Sequence, residues 1–571
     1  MNLLAALVRA YDVRSGMPPI NYSSEKVSYL IPLQANGDLS GPPVDLRRSI
    51  KKNATPITMS VPSGAKRTSA IVPNFLWDKT SYALGISENA SERTNIEHEK
   101  FVQWHAELLS QSCDTGLRAF LDFLLKWKVT NFATLGWPQD MLDQNIVFGL
   151  GTERDGHGAV RGIHDRPAAR ELWGRIQESR QSNFGTCSIT GTTGAIARLH
   201  PPIKGVPGAQ ASGALLVSFN KDAFCSYRRL QGDNAPISEA AAFKYGTVLN
   251  HLLAYGSRNK IQLGDLTLVF WANGPEAIAI EAEELFYALA DNPNAEPNLA
   301  ALRPELRDIS FAVVGISSNA ARLSVRFQLT KNFQQVVANL VAHYRLTRIQ
   351  HSASAKFIPM RTLLTATAPF GQEDRIASAV ASHFLQATLT GEAFPAELLY
   401  RTIMRLQSEK RITVACAALL KAVLSRNSGI HLGYCLDADL DDHSYLLGRL
   451  LAWFDFLEQE ARGGGIGVPV SSVHYASASA NPAQTFPALH GKALRNLEKI
   501  RPRKPALISY AEACLLDLIS KAFNWGKRKA LPSPEDRAVF AIGCYHQRQE
   551  LYLSGESRVL RTGQEALNDG N

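Results

Sequence analysis

Apolar residues follow two different spacings along the chain, and the spacing changes near residue 355. Before that point, short apolar runs that end at Gly, Pro or Asn predict strands interspersed with helices. The predicted strands are 27–39 with its Asn-Gly turn, 184–219, 266–271 and 309–316, and the predicted helices are 1–12, 94–128 and 165–181. This mixture indicates an α+β N-terminal part.

After about Lys356 the apolar residues recur at helical spacing, with no convincing strand. The predicted helices are 373–389, 396–408, 412–424, 445–462, 488–499 and 509–525. The predicted fold class is therefore α+β, with a mixed α/β N-terminal domain at 1–355 and a C-terminal all-α helical bundle at 356–571. Two domains suit a chain of 571 residues, because single cores stop growing near roughly 250–300 residues.

The formal net charge of the chain is +9. Such a surplus favours a polyanionic partner, because each phosphate that a cation neutralises releases counterions. No apolar run approaches the roughly 18 residues that a membrane span needs, and the N-terminal segment lacks a basic region and a cleavage site. We therefore expect a cytoplasmic protein with no membrane partner.

The common catalytic motifs are missing from the sequence. It contains no GxxxxGK[ST] phosphate-binding loop and no HExxH metal-binding helix. The dipeptide His164-Asp165 is compatible with an HD-type metal site, but no companion pattern of His or Asp surrounds it. A metal-dependent nuclease that uses this pair remains an alternative. We expect instead a protein that is not an enzyme, with no catalytic residues, no metal and no other cofactor.

Residues 53–73 are rich in Pro, Ser and Gly, show no helical period and are predicted to form a loop. The loop and the residues after it carry side chains suited to DNA recognition. The candidates are Lys66, Arg67, Thr68, Ser69, Asn74 and Lys79. Cations and hydroxyls can hold phosphates, and the amide can donate and accept at a base edge. Phe75, Leu76 and Trp77 either stack on a sugar or base or belong to the core.

A second candidate is the Gly-rich segment Gly191–Ala214, which carries Arg198 and Lys204. Its backbone N–H groups and its cations could face phosphates. Alternatively, the glycines supply positive φ angles in tight turns between strands.

Several long segments resemble segments of one known protein family. They occur in the same order as in that family and extend over most of the chain. They are MNLLAALVRAYD, RTSAIVPNFLWDKTSYALG, ARLHPPIKGVPGAQASGALLVSFNKDAFCSY followed by NAPISEAAAFKYGTVLNHLL, ISFAVVGISSNAARLSVRF, and HYASASANPAQTFPAL. With these segments the chain resembles the Csd large subunit of type I-C CRISPR systems.

The resemblance implies a non-catalytic subunit of the Cascade surveillance complex. Such a subunit recognises the PAM in target double-stranded DNA, promotes duplex opening and R-loop formation, stabilises the non-target strand and helps recruit the helicase-nuclease. The implied partners are the CRISPR guide RNA, target double-stranded DNA, the Cascade backbone subunits, the guide-end-capping subunit, the small subunits and the helicase-nuclease. PAM recognition is assigned to the loop around Asn74. A purely structural scaffold subunit is the other alternative.

The resemblance also implies that residues from about 437 to 571 correspond to a separately made small subunit. Basic residues near helix ends in this part are candidates to guide the displaced strand, whose backbone needs a cationic track. They are Lys499, Arg501, Arg503, Lys504, Lys527, Arg528 and Lys529. Alternatively, they are solvated helix ends, where cations favour the C-terminal dipole.

Overall fold

Strands occur as far as Asn332, and only helices follow in the described residues, which confirms the α+β class. The computed structural model describes residues 2–50, 53–64, 67, 70–154, 158–179, 183–291, 302–350, 358–463, 469–523 and 531–552. The strands are β1 Tyr22–Val27, β2 Tyr29–Leu33, β3 Val44–Asp45, β4 Arg48–Ile50, β5 Asn53–Thr55, β6 Ile57–Pro62, β7 Trp77–Lys79, β8 Asn145–Arg154, β9 Val160–Gly162, β10 Phe184–Thr186, β11 Thr193–Ala195, β12 Pro202–Ile203, β13 Ala214–Leu215, β14 Lys260–Leu263, β15 Leu266–Asn273, β16 Ser310–Asn319 and β17 Arg322–Asn332.

The helices of the described residues extend along the whole chain. They are α1 Leu3–Val13, α2 Thr80–Ala83, α3 Glu92–Leu109, α4 Thr115–Lys126, α5 Asn131–Thr134, α6 Pro167–Ser179, α7 Glu239–Leu252, α8 Glu276–Asp291, α9 Pro304–Asp308, α10 Phe333–Thr347, α11 Met360–Leu364, α12 Ser378–Thr390, α13 Ala396–Glu409, α14 Val414–Ser428, α15 His443–Ala461, α16 Val470–Ala480, α17 Pro482–Ile500, α18 Pro505–Ala522 and α19 Pro534–Tyr552. Among the described residues, no helix has both the length and the apolar character needed to cross a bilayer.

The chain divides into two units. The N-terminal unit comprises residues 2–201 and 217–249, and the C-terminal unit comprises residues 202–216 and 250–571. The chain passes between the two units after residues 201, 216 and 249, whereas the predicted domain boundary is at 355. Sheet residues such as Phe311 and helix residues such as Leu450 share one hydrophobic cluster of the C-terminal unit. Separate folding of residues 356–571, and a small subunit starting near 437, stay predictions.

The N-terminal unit contains a five-stranded sheet in the order β3-β2-β8-β7, with β9 also paired to β8. Strands β2 and β8 are parallel, so the chain must cross over between them, and α3 and α4 lie in that crossover. Both strands are largely apolar and buried, as a strand covered on both faces requires. Strand β7 lies at the end of this strand order, paired with β8.

The loop predicted at 53–73 is wrong for its first part. Residues 53–55 and 57–62 form β5 and β6, and β6 pairs antiparallel with β1 from Tyr22↔Pro62 to Val27↔Ile57. Ile57, Met59 and Val61 alternate with polar residues as a strand requires. The Pro and Ser residues around them concealed this alternation. The loop proper, called the β6–β7 loop below, is 63–76.

The C-terminal unit contains a six-stranded sheet in the order β12-β13-β17-β16-β15-β14. The bundle helices continue the core of this sheet, and α15 is buried around its whole circumference. Helices α15 and α19 approach each other at Gly448 and Gly543, a contact called the glycine crossing below. A Cβ added at Gly448 would lie 2.1 Å from the carbonyl oxygen of Phe540, and one at Gly543 would lie 2.3 Å from that of Tyr445.

Candidate nucleic-acid interface

The β6–β7 loop leaves the β1–β6 pair and ends on the edge strand β7, which pairs antiparallel with β8. Of the residues predicted to bind DNA, Lys66, Thr68 and Ser69 lie outside the described residues. Arg67, Asn74 and Lys79 lie inside them. The structure therefore gives the surroundings of three of the predicted contacts.

Arg67 lies within the loop in an ion pair with Asp78, whose side chain is only 1% exposed. The Arg67 Nη1–H donates to Asp78 Oδ1 at 2.8 Å, and Nη2–H donates to Asp78 Oδ2. The Arg67 Nε–H donates to the carbonyl oxygen of Val72 at 2.7 Å, and the guanidinium lies 4.0 Å from the ring centre of Tyr82. In this conformation Arg67 supports the loop, and its contact with DNA stays a prediction.

Asp78 is the residue on which both ends of the loop converge. Its carboxylate accepts hydrogen bonds from the backbone N–H of Asn74 at 2.9 Å and of Lys79 at 2.8 Å, besides those of Arg67. Burial raises the pKa of Asp78, and the guanidinium and the two N–H donors oppose that rise. Asp78 in turn raises the pKa of Arg67 against the effect of burial. Each group therefore depends on the other to remain charged out of water.

The Asn74 side chain is largely buried, with 7% of the residue exposed. A Cβ added at Gly64 would lie 3.0 Å from Asn74 Oδ1, so the loop start and the amide are close. Base contact by Asn74 requires the amide to leave this position, and it stays a prediction. The Lys79 side chain is exposed at the end of β7, where a phosphate can reach it.

The aromatic residues at the end of the loop and at the start of β7 belong to the core and are not available for stacking on DNA in this structure. Phe75 is fully buried and stacks between Trp173, with ring centres 5.2 Å apart, and His105, at 5.9 Å. Trp77 is also buried, and its indole N–H donates to the carbonyl oxygen of Pro62 at 2.8 Å. The core interpretation of these residues is therefore the correct one here.

His105 supports the end of the loop through its neutral ring. Leu76, which has a φ of 63°, donates its backbone N–H to His105 Nε2 at 3.1 Å. The other ring nitrogen, Nδ1, lies 2.8 Å from the carbonyl oxygen of Phe101, so Nδ1 carries the proton. Burial lowers the pKa of His105 to about 3. Protonation of Nε2 would remove the acceptor for Leu76.

We expect His105 to make the N-terminal unit sensitive to acid. The folded-state pKa is below the unfolded value near 6.5, so the stabilisation is complete above about pH 6.5 and is lost as the pH falls towards about 3. Between pH 6 and 4, the free energy of unfolding of His105→Gln should fall less steeply than that of the original chain, by about 1.4 kcal/mol per pH unit. Urea unfolding measures both slopes.

The control for this prediction is His431→Gln, because His431 belongs to the C-terminal unit and its loss should not alter the slope of the N-terminal unit. An equal slope in the original chain and in His105→Gln would contradict the prediction.

The predicted His164-Asp165 pair lies at the end of β9. His164 is fully buried, its Nε2 is 3.5 Å from Asp165 Oδ2, and burial lowers its pKa. In the part of the chain that the structure describes, neither ring nitrogen has a hydrogen-bond partner. Across the same residues, no cluster of three or more His, Cys, Asp or Glu side chains is arranged to hold a metal ion.

The two candidate cations of the Gly-rich segment, Arg198 and Lys204, belong to different units. Arg198, in the N-terminal unit, is exposed, and its Nε–H donates to Gln231 Oε1 at 2.7 Å. Lys204, in the C-terminal unit, also has an exposed side chain, and its backbone N–H donates to Asn250 Oδ1 at 2.7 Å. Phosphate binding by either residue stays a prediction.

The basic cluster after α17 is paired with acidic groups and carbonyls at the surface. Arg501 bonds to Glu512 at 2.6 Å and Glu498 at 3.3 Å, and these carboxylates raise its pKa. Lys504 bonds to Glu460 at 2.5 Å.

Arg503 donates to the carbonyl oxygen of Ala461 at 3.1 Å, at the end of α15, and Lys499 is exposed. Exposed pairs of this kind are weak, so phosphates can compete for these cations. Lys527, Arg528 and Lys529 lie outside the described residues.

Sequence reasoning missed Asp78 as the organising residue of the loop. Its only signal is a carboxylate between the apolar residues 75–77 and Lys79, since an acidic residue within a buried run usually has a cationic partner. The partner was Arg67, already noted for another role.

The sequence model of the family described as "CRISPR-associated protein (Cas_Csd1)" matches residues 6–552 of the chain. This chain belongs to that family. The match covers nearly the whole sequence, so the resemblance to the type I-C large subunit is confirmed, and the protein is a CRISPR-associated subunit of Cascade type. No curated protein matches the chain.

Proposed function

We propose that this member of the Cas_Csd1 family recognises the PAM in target double-stranded DNA within the surveillance complex. It then promotes duplex opening and pairing with the guide RNA, stabilises the non-target strand and helps recruit the helicase-nuclease. The observation that carries the proposal is the family match over residues 6–552. The implied partners are the guide RNA, the backbone, end-capping and small subunits, and the helicase-nuclease.

The β6–β7 loop supports the recognition step because its two ends are held by one buried carboxylate. Asp78 bonds to Arg67 at the start of the loop and to the N–H of Asn74 at its end. A loop whose backbone is fixed in this way loses little conformational entropy on binding, and the Asn74 side chain is the part that must turn towards the DNA. Few groups are needed, because guide pairing reads the rest of the target sequence.

The proposal assigns no catalytic role to this chain. A fully buried His164 whose pKa is lowered suits a core position better than a ligand that exchanges water. Purified chain with Mg²⁺ or Mn²⁺ and labelled DNA should give no cleavage. Cleavage that disappears in His164→Ala would favour the metal-dependent nuclease instead.

We expect Asn74→Ala to reduce the preference of the assembled complex for a duplex with a PAM over one with a scrambled PAM. One base contact is worth about 1–3 kcal/mol, so the ratio of the two affinities should fall by about 5- to 150-fold. Electrophoretic mobility shift with both duplexes measures the ratio, and size-exclusion chromatography checks assembly.

Asn89→Ala is the matched control, because Asn89 is an exposed asparagine of the same unit and should leave the ratio unchanged. Lys79→Glu should weaken binding to both duplexes alike, as loss of a phosphate contact does. If Asn74→Ala and Lys79→Glu both assemble and bind like the original chain, the scaffold alternative would be favoured and recognition by this loop excluded.

A further inference from the structure

A second exposed element of the N-terminal unit, residues 221–234, presents an aromatic ring and two adjacent arginines to solvent. We call it the Tyr227 tip. Tyr227 is 93% exposed, Leu230 is 71% exposed, and Arg228 and Arg229 are exposed between them. Across the residues described, neither arginine has an ion-pair partner. Tyr227 and Leu230 therefore leave an aromatic and an apolar side chain in water on either side of two cations.

The Tyr227 tip is held in place by hydrogen bonds within it and by one to the neighbouring segment 197–199. Asn234 Oδ1 accepts from the backbone N–H of Ser226 at 2.9 Å, and Asn234 Nδ2 donates to the carbonyl oxygens of Arg229 and Gln231 at 3.0 Å. The N–H of Gly232 donates to the carbonyl oxygen of Arg198 at 3.1 Å. These hydrogen bonds therefore fix the backbone that carries the exposed side chains.

At Gly232 the backbone of the tip packs closely against residues 197–199. A Cβ added there would lie 1.9 Å from the carbonyl oxygen of Ala197. This close approach fixes the tip against residues 197–199, where Arg198 is exposed and Leu199 is 66% exposed. Arg198 is held beside the tip by its bond to Gln231. A third arginine and a second leucine thus share this surface.

The backbone of the tip is strained at the residues that it exposes. Tyr227 and Arg228 have φ angles of 53° and 59°, and Gln231 has 46°. Left-handed backbone is uncommon for bulky residues, and strained backbone of this kind clusters at functional sites. This conformation points consecutive side chains outward, although the core gains nothing from them.

We propose that the Tyr227 tip binds single-stranded nucleic acid, with an unpaired base stacked on the Tyr227 ring and the adjoining phosphates held by Arg228, Arg229 and Arg198. The inference deepens the proposed function and rests on it, because it supplies a second contact for nucleic acid besides the β6–β7 loop. Stacking on an exposed aromatic ring requires a base with a free face, so a single strand fits and an intact duplex does not.

The charge of the surface favours nucleic acid over a protein partner. The exposed aromatic and leucine residues suit either class, but the three arginines offer planar donor groups that match phosphates. Residues 221–234 carry the cations Lys221, Arg228 and Arg229 and the carboxylates Asp222 and Asp233, so with Arg198 the patch has a formal charge of +2. The strand can be guide RNA or displaced DNA, since both offer bases and phosphates.

The test uses the purified full-length chain and fluorescein-labelled single strands of RNA and DNA, with a blunt duplex for comparison. Tyr227→Ala should lower the affinity for the preferred single strand by about 10-fold, while Tyr227→Phe retains it, because stacking needs the ring and not the hydroxyl. Arg228→Ala with Arg229→Ala should flatten the salt dependence by about 0.7 per lost phosphate contact. Fluorescence anisotropy at several salt concentrations measures both.

Tyr255→Ala is the matched control, because Tyr255 is a fully exposed tyrosine of the C-terminal unit and should bind like the original chain. A preference for RNA points to the guide, and a preference for DNA points to the displaced strand. Equal affinity of Tyr227→Ala and the original chain for both strands overturns the inference, as does an equal loss in Tyr255→Ala or on the duplex. Loss of binding to the other protein subunits by Tyr227→Ala in the absence of nucleic acid also overturns the inference, because it would identify a protein-docking surface.

The result is separable from the PAM test. The Tyr227 tip is measured on free single strands without a PAM, and Asn74 is measured as a PAM ratio in the assembled complex. If the PAM ratio does not respond to Asn74→Ala, the proposed recognition by the loop fails while a 10-fold loss in Tyr227→Ala still supports the tip.

Discussion

Replacing Asp78 by alanine is expected to lower the free energy of unfolding of the N-terminal unit by about 3 kcal/mol. The substitution leaves the Arg67 guanidinium partly buried without its counter-charge and removes the acceptor for the N–H groups of Asn74 and Lys79. The expected loss is at the lower end for a buried pair, because about a quarter of the Arg67 side chain remains in water.

Urea unfolding followed by tryptophan fluorescence measures this loss. Arg67→Met with Asp78→Ala should cost less than the sum of the two single changes, because removing both partners leaves no unpaired buried charge. Asp38→Ala is the control, since Asp38 forms a pair with Lys126 in which both side chains are about half exposed, and its loss should cost less than about 1 kcal/mol. Equal losses in Asp78→Ala and Asp38→Ala would contradict the buried-pair account.

The same substitution connects stability to the proposed function. If the β6–β7 loop reads the PAM, Asp78→Ala should reduce the PAM ratio of the assembled complex at least as much as Asn74→Ala does, because it releases both ends of the loop. Asp78→Asn keeps the size of the side chain and one acceptor oxygen. Its PAM ratio should therefore lie between that of the original chain and that of Asp78→Ala. A normal PAM ratio in an assembled Asp78→Ala complex would separate the loop from recognition.

The glycine crossing provides the second large effect. Gly448→Ala and Gly543→Ala should each destabilise the C-terminal unit by about 3 kcal/mol, at the upper end for overpacking. The obstructing atoms are backbone carbonyl oxygens of the facing helix, at 2.1 Å and 2.3 Å from the added Cβ. Backbone cannot move aside as a flexible side chain can, so α15 and α19 must separate. Their separation also weakens the buried bond of 2.9 Å between Tyr445 Oη and His546 Nδ1.

Gly491→Ala is the control with the opposite sign. Gly491 lies inside α17, and a Cβ there would meet no atom within 4 Å. Alanine is the better helix former by about 0.8–1.0 kcal/mol, so this variant should be as stable as the original chain or more so. Urea midpoints of the three variants test the crossing. A Gly448→Ala chain that unfolds at the original midpoint would show that the helices are not in close contact there.

Local pattern predicted the elements whose residues interact mainly with their neighbours in the chain. The helical spacing at 396–408 and 445–462 corresponds to α13 and α15, and the apolar runs at 266–271 and 309–316 correspond to β15 and β16. Helices α8 and α10 were missed in the N-terminal part, where strand signals dominated. Strands β5 and β6 were missed because Pro and Ser interrupted a short alternation that is completed only by pairing with β1.

The candidate site was predicted by residue type and not by environment. Pattern and chemistry selected Arg67 and Asn74 correctly as members of one loop. They did not indicate that Arg67 pairs with Asp78 eleven positions later in the sequence, or that the Asn74 amide is buried. A guanidinium has the same composition whether it faces a phosphate or a carboxylate, and only the fold decides which of these is near.

The sequence by itself determined the α+β class, the helical character after residue 356, the cationic surplus and the membership of the Cas_Csd1 family. Only the tertiary structure decided that Phe75 is core, that α15 and α19 meet through glycines and that Tyr227 stands in solvent. Periodicity and composition are properties of neighbouring residues, whereas burial and pairing depend on which distant segments come together.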